Sequence, residues 1–182
     1  MNTLNRKVNI PKFLQELHGK QTRRIDLLLT YFSAILCTAL VWWMVRDLSI
    51  SLFKMVILCF LTFDISGGVI ANFTDGTQAY FSGLKGLRYK FIALHLLQPA
   101  FLMWLFPNDI IYISIISVFT LVAITILNGI KNGTDQRIWA SFFALFGIAL
   151  SFVFNEIEPV VHFLMVLYIV KLVIAFSIQW NS

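Results

Sequence analysis

The chain has 182 residues, of which 59% are hydrophobic, 15% aromatic and only 13% charged, with a net charge of +5 and a mean hydropathy of +0.82. Soluble domains carry roughly 25% charged residues. A soluble fold of this length could not bury so much apolar surface, which argues against a soluble enzyme or a nucleic-acid-binding domain. We therefore expect an all-α, polytopic transmembrane helical bundle.

The first segment, residues 1–24, is polar and basic and does not resemble a cleaved signal peptide. Phe13, Leu14 and Leu17 would share one face of a helix, which favours a short helix lying on the anionic inner leaflet. Its basic side chains would attract anionic lipids, so these lipids are an expected partner. The alternative is a solvated tail whose charges only set the topology.

Apolar runs of about 20 residues predict transmembrane helices. The third and fifth runs in this chain are short, and Pro99 should kink the third. The sequence predicts six spans, which could be arranged as stacked two-helix hairpins, and a short tail over 179–182; the spans are 25–45, 50–73, 91–106, 110–130, 139–154 and 160–178.

The distribution of lysine and arginine predicts the orientation. Eleven of these cations lie before the first span or in the loops 74–90 and 131–138, whereas the opposite side has only Arg46 and Lys54. The positive-inside rule therefore places both termini in the cytoplasm. The compact chain and the lack of an organelle signal favour a bacterial plasma membrane.

The stretch FDISGGVIANFTDGTQAYF, residues 63–81, is unusually polar for this chain. On a helix, Asp64, Gly67, Gly68, Ala71 and Asp75 recur at spacings of three and four, so they share a face. Small residues allow close approach of helices in membranes. Gly67, Gly68 and Ala71 are therefore interpreted as a packing seam.

Asp64 falls near the middle of its span, where a carboxylate costs about 2.5–3.5 kcal/mol. Lys171 lies at a similar depth in the sixth span and would make an ion-pair partner. Alternatively, Asp64 is neutral through burial and takes part in proton movement.

Further polar residues fall in the same half of the membrane. His95 and Gln98 lie near the start of the third span, although a lone histidine there is more often a satisfied interfacial side chain. The sequence predicts one polar pocket open to the cytoplasm, lined by Asp64, Asn72, Thr74, Asp75, His95, Gln98, Asn128 and Lys171.

A short sequence repeat, which we call the echo, occurs at an offset of 60 residues. IANFTD at 70–75 matches IKNGTD at 130–135 in Ile, Asn, Thr and Asp. This pattern indicates either a duplicated hairpin or the ordinary side-chain chemistry of helix ends. An equivalent of Asp64 is missing from the echo, since Ile124 stands there.

Catalytic signatures are incomplete. DGTQAYFSG resembles the opening of the CDP-alcohol phosphotransferase signature, but Tyr80 replaces its arginine and no Asp-x-x-x-Asp follows. No cofactor, metal or nucleic-acid partner is expected.

Three functions remain open. The first is a small transporter, which would need a homo-oligomer to enclose a path. The second is a non-catalytic membrane partner, such as an assembly, sensor or immunity protein. The third is an enzyme at the inner leaflet, with Asp64, His95 and Asp75 as acid–base groups and Lys85 or Arg88 holding an anionic headgroup.

Overall fold

The structure of the protein is a computed structural model that describes residues 3–82 and 86–178. The predicted tail at 179–182 and Lys85 lie outside these residues. The fold is helical, as predicted, apart from one short β-ladder. Strands β1 and β2 are Lys7–Asn9 and Gln21–Arg23; the helices are α1 Gln15–His18, α2 Arg24–Met44, α3 Leu52–Phe73, α4 Asp75–Ser82, α5 Leu87–Leu94, α6 Leu97–Leu105, α7 Ile110–Gly129, α8 Gly133–Ser151 and α9 Pro159–Ile169, which continues as a π-helix over Val170–Phe176.

Residues 3–23 fold into a small unit that we call the N-terminal cap. Strands β1 and β2 pair antiparallel, with Lys7 opposite Arg23, and enclose a 3₁₀ turn and α1. The expected interfacial helix is therefore wrong for most of this segment. Phe13 is 82% exposed, and His18, at the end of α1, is buried against the Tyr31 hydroxyl, with the ring nitrogen 3.0 Å from that oxygen.

The cap docks on α4 through close backbone contact. The Thr77 hydroxyl donates a hydrogen bond of 2.7 Å to the Leu17 carbonyl. A Cβ atom on Gly19 would lie 1.9 Å from the Gly76 carbonyl oxygen, and the φ of Gly19 is +72°. Only glycine fits such a position, because other residues add a clashing side chain and disfavour positive φ. The cap is thus packed against the helical bundle rather than free in solvent.

Helices α2 and α3 form the main hairpin of the bundle. A Cβ atom on Gly67 would lie 3.3 Å from the Ala34 side chain, so the small residues let the two helices approach closely. The remainder of α2 exposes large apolar side chains, among them Phe32, Ile35 and Trp43. Such a surface is typical of a helix that faces lipid.

The third predicted span, 91–106, is wrong as a continuous helix. The chain forms α5 and α6, which are separated by a turn at His95 and Leu96. Pro99 has no N–H to donate to the carbonyl four residues earlier, which belongs to His95. The Tyr168 hydroxyl donates to that carbonyl instead, at 3.1 Å. Tyr168 of α9 therefore stabilises the break between α5 and α6 that Pro99 causes.

The fifth predicted span, 139–154, is shifted. Helix α8 begins at Gly133, and Asn132 caps it by accepting hydrogen bonds from the backbone N–H groups of Thr134, at 2.9 Å, and Asp135. The polar first turn, 133–137, reduces the apolar length of α8. Asn72, the counterpart of Asn132 in the echo, is buried inside α3 and caps no helix. The two asparagines therefore play different roles.

Within residues 3–82 and 86–178, four helices are long and apolar enough to cross a membrane. The other two predicted spans fail this criterion, because α5 and α6 are short and α8 has a polar start. The structure thus supports an all-α protein with four candidate spans; they are Arg24–Met44, Leu52–Phe73, Pro107–Gly129 and Pro159–Phe176.

Candidate functional site

An ion pair joins α3 to the π-helix in the interior of the bundle. The ammonium of Lys171 lies 3.1 Å from the carboxylate Oδ2 of Asp64 and donates a second hydrogen bond, of 3.2 Å, to the Asp64 carbonyl. The Lys171 side chain is only 3% exposed, whereas that of Asp64 is 44% exposed. The pair is closed on the lysine side and open on the carboxylate side.

Gly68 makes this pair sterically possible. A Cβ atom there would lie 2.4 Å from Cε and 2.8 Å from Nζ of Lys171. The lysine stem therefore crosses directly over the backbone of α3. Gly67, the neighbouring glycine, faces α2 instead, so the predicted small-residue seam serves two different helices.

Gln98 of α6 completes the contact with the carboxylate. Its side-chain amide donates to Oδ2 of Asp64. Its own carbonyl oxygen, Oε1, is buried and accepts no hydrogen bond from the residues that the structure describes. An unsatisfied buried polar atom costs about 1–3 kcal/mol. The site therefore combines the half-exposed carboxylate of Asp64 with a buried amide oxygen that has no described partner.

His95 lies in the turn between α5 and α6, and its imidazole interacts electrostatically with both Asp64 and Lys171. Its Nδ1 is 2.7 Å from the Phe91 carbonyl. A carbonyl can only accept, so Nδ1 carries a proton and Nε2 is the acceptor nitrogen of the neutral ring. The proline-induced turn thus places His95 beside the ion pair.

The carbonyl groups of the π-helix receive hydrogen bonds from other elements. A π-helix frees carbonyls from the usual α-helical pattern. Asn72 donates to Lys171 at 3.5 Å, Gln78 to Ala175 at 3.1 Å, and Arg88 to Phe176 at 2.6 Å. Sequence reasoning missed Gln78 altogether and assigned Arg88 only to a headgroup. No local sequence signal indicates the Arg88 contact, because the two partners are 88 positions apart in the chain.

Three predicted pocket residues do not contact the ion pair. Thr74 donates to the Ala71 carbonyl at 2.8 Å and connects α3 to α4. Asp75 faces the N-terminal cap, where it acts on Arg23. Both polar side-chain atoms of Asn128, Oδ1 and Nδ2, are buried without a hydrogen-bond partner among the described residues. The expected single pocket is therefore divided into a mid-span site and a separate cavity at the cap.

A second polar cluster lies toward the opposite end of the bundle. The two ring nitrogens of His162 are 3.4 Å from the Tyr112 hydroxyl and 3.5 Å from the Ser151 hydroxyl. These long contacts connect α7, α8 and α9. Sequence reasoning did not find this cluster, because Tyr112 and Ser151 are 50 and 11 positions from His162 in the chain.

Among the described residues, no three His, Cys, Asp or Glu side chains are placed to share a metal ion. Cys37 and Cys59 are both free thiols. The mid-span site instead consists of one carboxylate, one ammonium, one amide and one imidazole. Comparison with known proteins finds no family model, no curated protein and no solved structure that matches this chain significantly.

Proposed function

We propose that this protein is a small integral membrane transporter whose substrate passes the site formed by Asp64, Lys171, Gln98 and His95. The single observation that carries the proposal is the asymmetric ion pair, with Lys171 at 3% and Asp64 at 44% side-chain exposure. A carboxylate near the middle of a span is costly unless it is paired or faces water or a ligand. Here it is paired on one side and open on the other.

The chemistry of the open side favours a small polar solute that carries hydrogen-bond donors. The carboxylate of Asp64 is the acceptor on that side, and the buried Gln98 Oε1 has no donor among the described residues. Lys171 neutralises the carboxylate while the site is empty, and a cationic solute or a proton would compete with it. Discontinuous helices supply such sites in known transporter folds, and the turn at His95 is a break of that kind.

The membrane assignment has support from the ends of the helices. Trp43, Phe53 and Trp104 gather at one end, where Arg46 lies 3.6 Å above the Trp43 ring. Trp139 is near the start of α8, toward the other end. Tryptophan prefers the two interfaces of a bilayer. In the proposal, α5–α6 and α8 complete six membrane-embedded segments, both termini are cytoplasmic in a bacterial plasma membrane, and a second copy helps to enclose the path.

Access of water to position 64 tests the proposal. We would replace Cys37 and Cys59 with alanine, introduce Asp64→Cys together with Lys171→Met, and treat proteoliposomes with a charged methanethiosulfonate reagent. We expect labelling at position 64 but not at Phe60→Cys, one turn away on the apolar surface of α3. Asp47→Cys, in the exposed turn after α2, is the positive control.

A second candidate function is a non-catalytic membrane partner, and the packing of Lys171 on Gly68 favours it. In that case the ion pair only holds α3 against the last helix. Position 64 would then resist the charged reagent while Asp47→Cys reacts, which would contradict the transport proposal.

A further inference from the structure

A cavity of about 970 Å³ lies between the N-terminal cap and α4. It is separate from the mid-span site, because none of Asp64, His95, Gln98 and Lys171 lines it. One wall is the β-ladder of the cap, and the opposite wall includes Ala79 and Tyr80 of α4. The contact between Gly19 and Gly76 fixes the two walls relative to each other.

The ladder presents an unfavourable arrangement of charge to this cavity. Lys7 and Arg23 are directly opposite each other, and side chains two residues along a strand share a face. Asn9 and Gln21 occupy the next position on this face and are joined by a hydrogen bond of 2.8 Å. All four residues line the cavity. Like charges opposite each other destabilise a ladder, and Asp26 relieves only the Arg23 side of this pair.

The carboxylates of the cavity do not neutralise its lysines. Asp26 takes both hydrogen bonds of the Arg23 guanidinium, at 2.8 and 2.9 Å. Asp75 also acts on Arg23. Lys7 and Lys20 have no ion pair with any carboxylate among residues 3–82 and 86–178. Two lysines that form no salt bridge with a described carboxylate therefore line a preformed cavity.

We propose that this cavity binds a phosphate-bearing anion, held by Lys7 and Lys20, with Gln15 and Tyr80 also in the lining. Phosphate is a suitable group because it accepts several hydrogen bonds and carries more than one negative charge. The same phosphate chemistry is found in the headgroup of an anionic lipid and in a soluble phosphate. The proposal is independent of transport, since it uses no residue of the mid-span site.

The test uses the full chain in detergent, with binding read from the ligand-dependent shift in unfolding temperature. The probes are short-chain phosphatidic acid, short-chain phosphatidylcholine and inorganic pyrophosphate. Each cation near an anionic surface contributes about 1 kcal/mol, so Lys7→Gln with Lys20→Gln should weaken binding about 25-fold. Lys7→Arg with Lys20→Arg should retain binding and shows that the fold accepts changes at both positions.

A matched control separates this site from diffuse attraction. Arg6→Gln with Lys12→Gln removes the same charge from the cap, but neither residue lines the cavity. We expect this variant to bind within about twofold of the original chain. Binding of phosphatidic acid alone would identify a lipid headgroup, and equal binding of pyrophosphate a soluble phosphate; both support the proposal. Absence of saturable binding of both phosphatidic acid and pyrophosphate, binding of phosphatidylcholine as tight as that of phosphatidic acid, or equal weakening by the two double variants would overturn it.

Discussion

The two pairs Asp64–Lys171 and Arg23–Asp26 have similar contact distances, 3.1 and 2.8 Å, and each joins a buried side chain to one that is 44% exposed. The first joins residues 107 positions apart, and its buried member is the lysine, at 3% exposure. The second is local, three residues apart at the start of α2, and its buried member is Asp26, at 9% exposure. We call the first the buried pair and the second the exposed pair, after the exposure of their cations. The comparison teaches that sequence separation and the burial of the cation, rather than contact distance, distinguish the two pairs.

The energetic consequences differ accordingly. An exposed pair contributes roughly 0–1 kcal/mol, because water competes with it. Breaking a buried pair costs about 3–5 kcal/mol, because one charge is left without compensation. The buried pair also fixes how α3 packs against the last helix, whereas the exposed pair only borders the start of α2. Each of the following experiments disturbs one side of this comparison.

The largest effect is expected from Lys171→Met, which leaves the Asp64 carboxylate without its cation. The free energy of unfolding should fall by about 3–5 kcal/mol, measured by SDS titration in mixed micelles. Adding Asp64→Asn should restore most of the loss, because both charges are then removed together. Lys54→Met, at a partly exposed lysine whose ammonium lies 5.2 Å from the Trp104 ring, is the control and should change the stability much less. A double variant no more stable than Lys171→Met would contradict a structural ion pair.

Gly68→Ala tests the packing of the Asp64–Lys171 pair without changing any charge. The new methyl group would lie 2.4 Å from Cε of Lys171 and force the buried lysine to move. Overpacking of this kind costs about 1–3 kcal/mol, measured by the same titration. The matched control is Gly129→Ala at the end of α7, where a Cβ atom meets nothing within 4 Å. Equal effects of the two substitutions would show that Lys171 does not cross over Gly68.

The docked cap should respond to pH through His18. Burial lowers the pKa of His18 below its usual 6.5, so in acid the undocked cap binds a proton that the docked cap does not. Docking is therefore fully stable above about pH 6.5 and weakens below it, by at most about 1.4 kcal/mol per pH unit. Hydrogen exchange of residues 7–23 between pH 7.5 and 5.5 measures this. His18→Phe should remove the pH dependence beyond the intrinsic exchange rate; an unchanged dependence would exclude His18 as its source.

The smallest effect is expected from Arg23→Gln, which breaks the exposed pair. The pKa of Arg23 is raised by its hydrogen bond to Asp26 and then by the charges of Asp26 and Asp75. Stability should nevertheless change by less than about 1 kcal/mol, because water competes for the guanidinium and the buried Asp26 carboxylate keeps the favourable first turn of α2 beside it. Arg46→Gln, at another exposed pair, should behave alike. A loss as large as that of Lys171→Met would remove the distinction between the two pairs.

Local sequence patterns predicted much of the fold and part of the site. Apolar runs located α2, α3, α7 and α9 to within a few residues, and Asp64 and Lys171 stood out because charges are costly in such runs. The cap was misjudged because its strands are three residues long and carry no alternating apolar pattern. The prediction that Asp75 and Asn128 share a pocket with Asp64 rested only on their similar depth in the membrane. Depth does not say which helices are neighbours.

The sequence by itself determined that the chain is helical and apolar, and that Asp64 and Lys171 needed an explanation. Only the tertiary structure decided that these two residues meet, that Gly68 gives Lys171 its space, and that Tyr168 satisfies the carbonyl freed by Pro99. The physical reason is the separation along the chain over which each kind of signal acts. Hydropathy and helix periodicity are properties of neighbouring residues, whereas an ion pair across 107 positions depends on how helices pack.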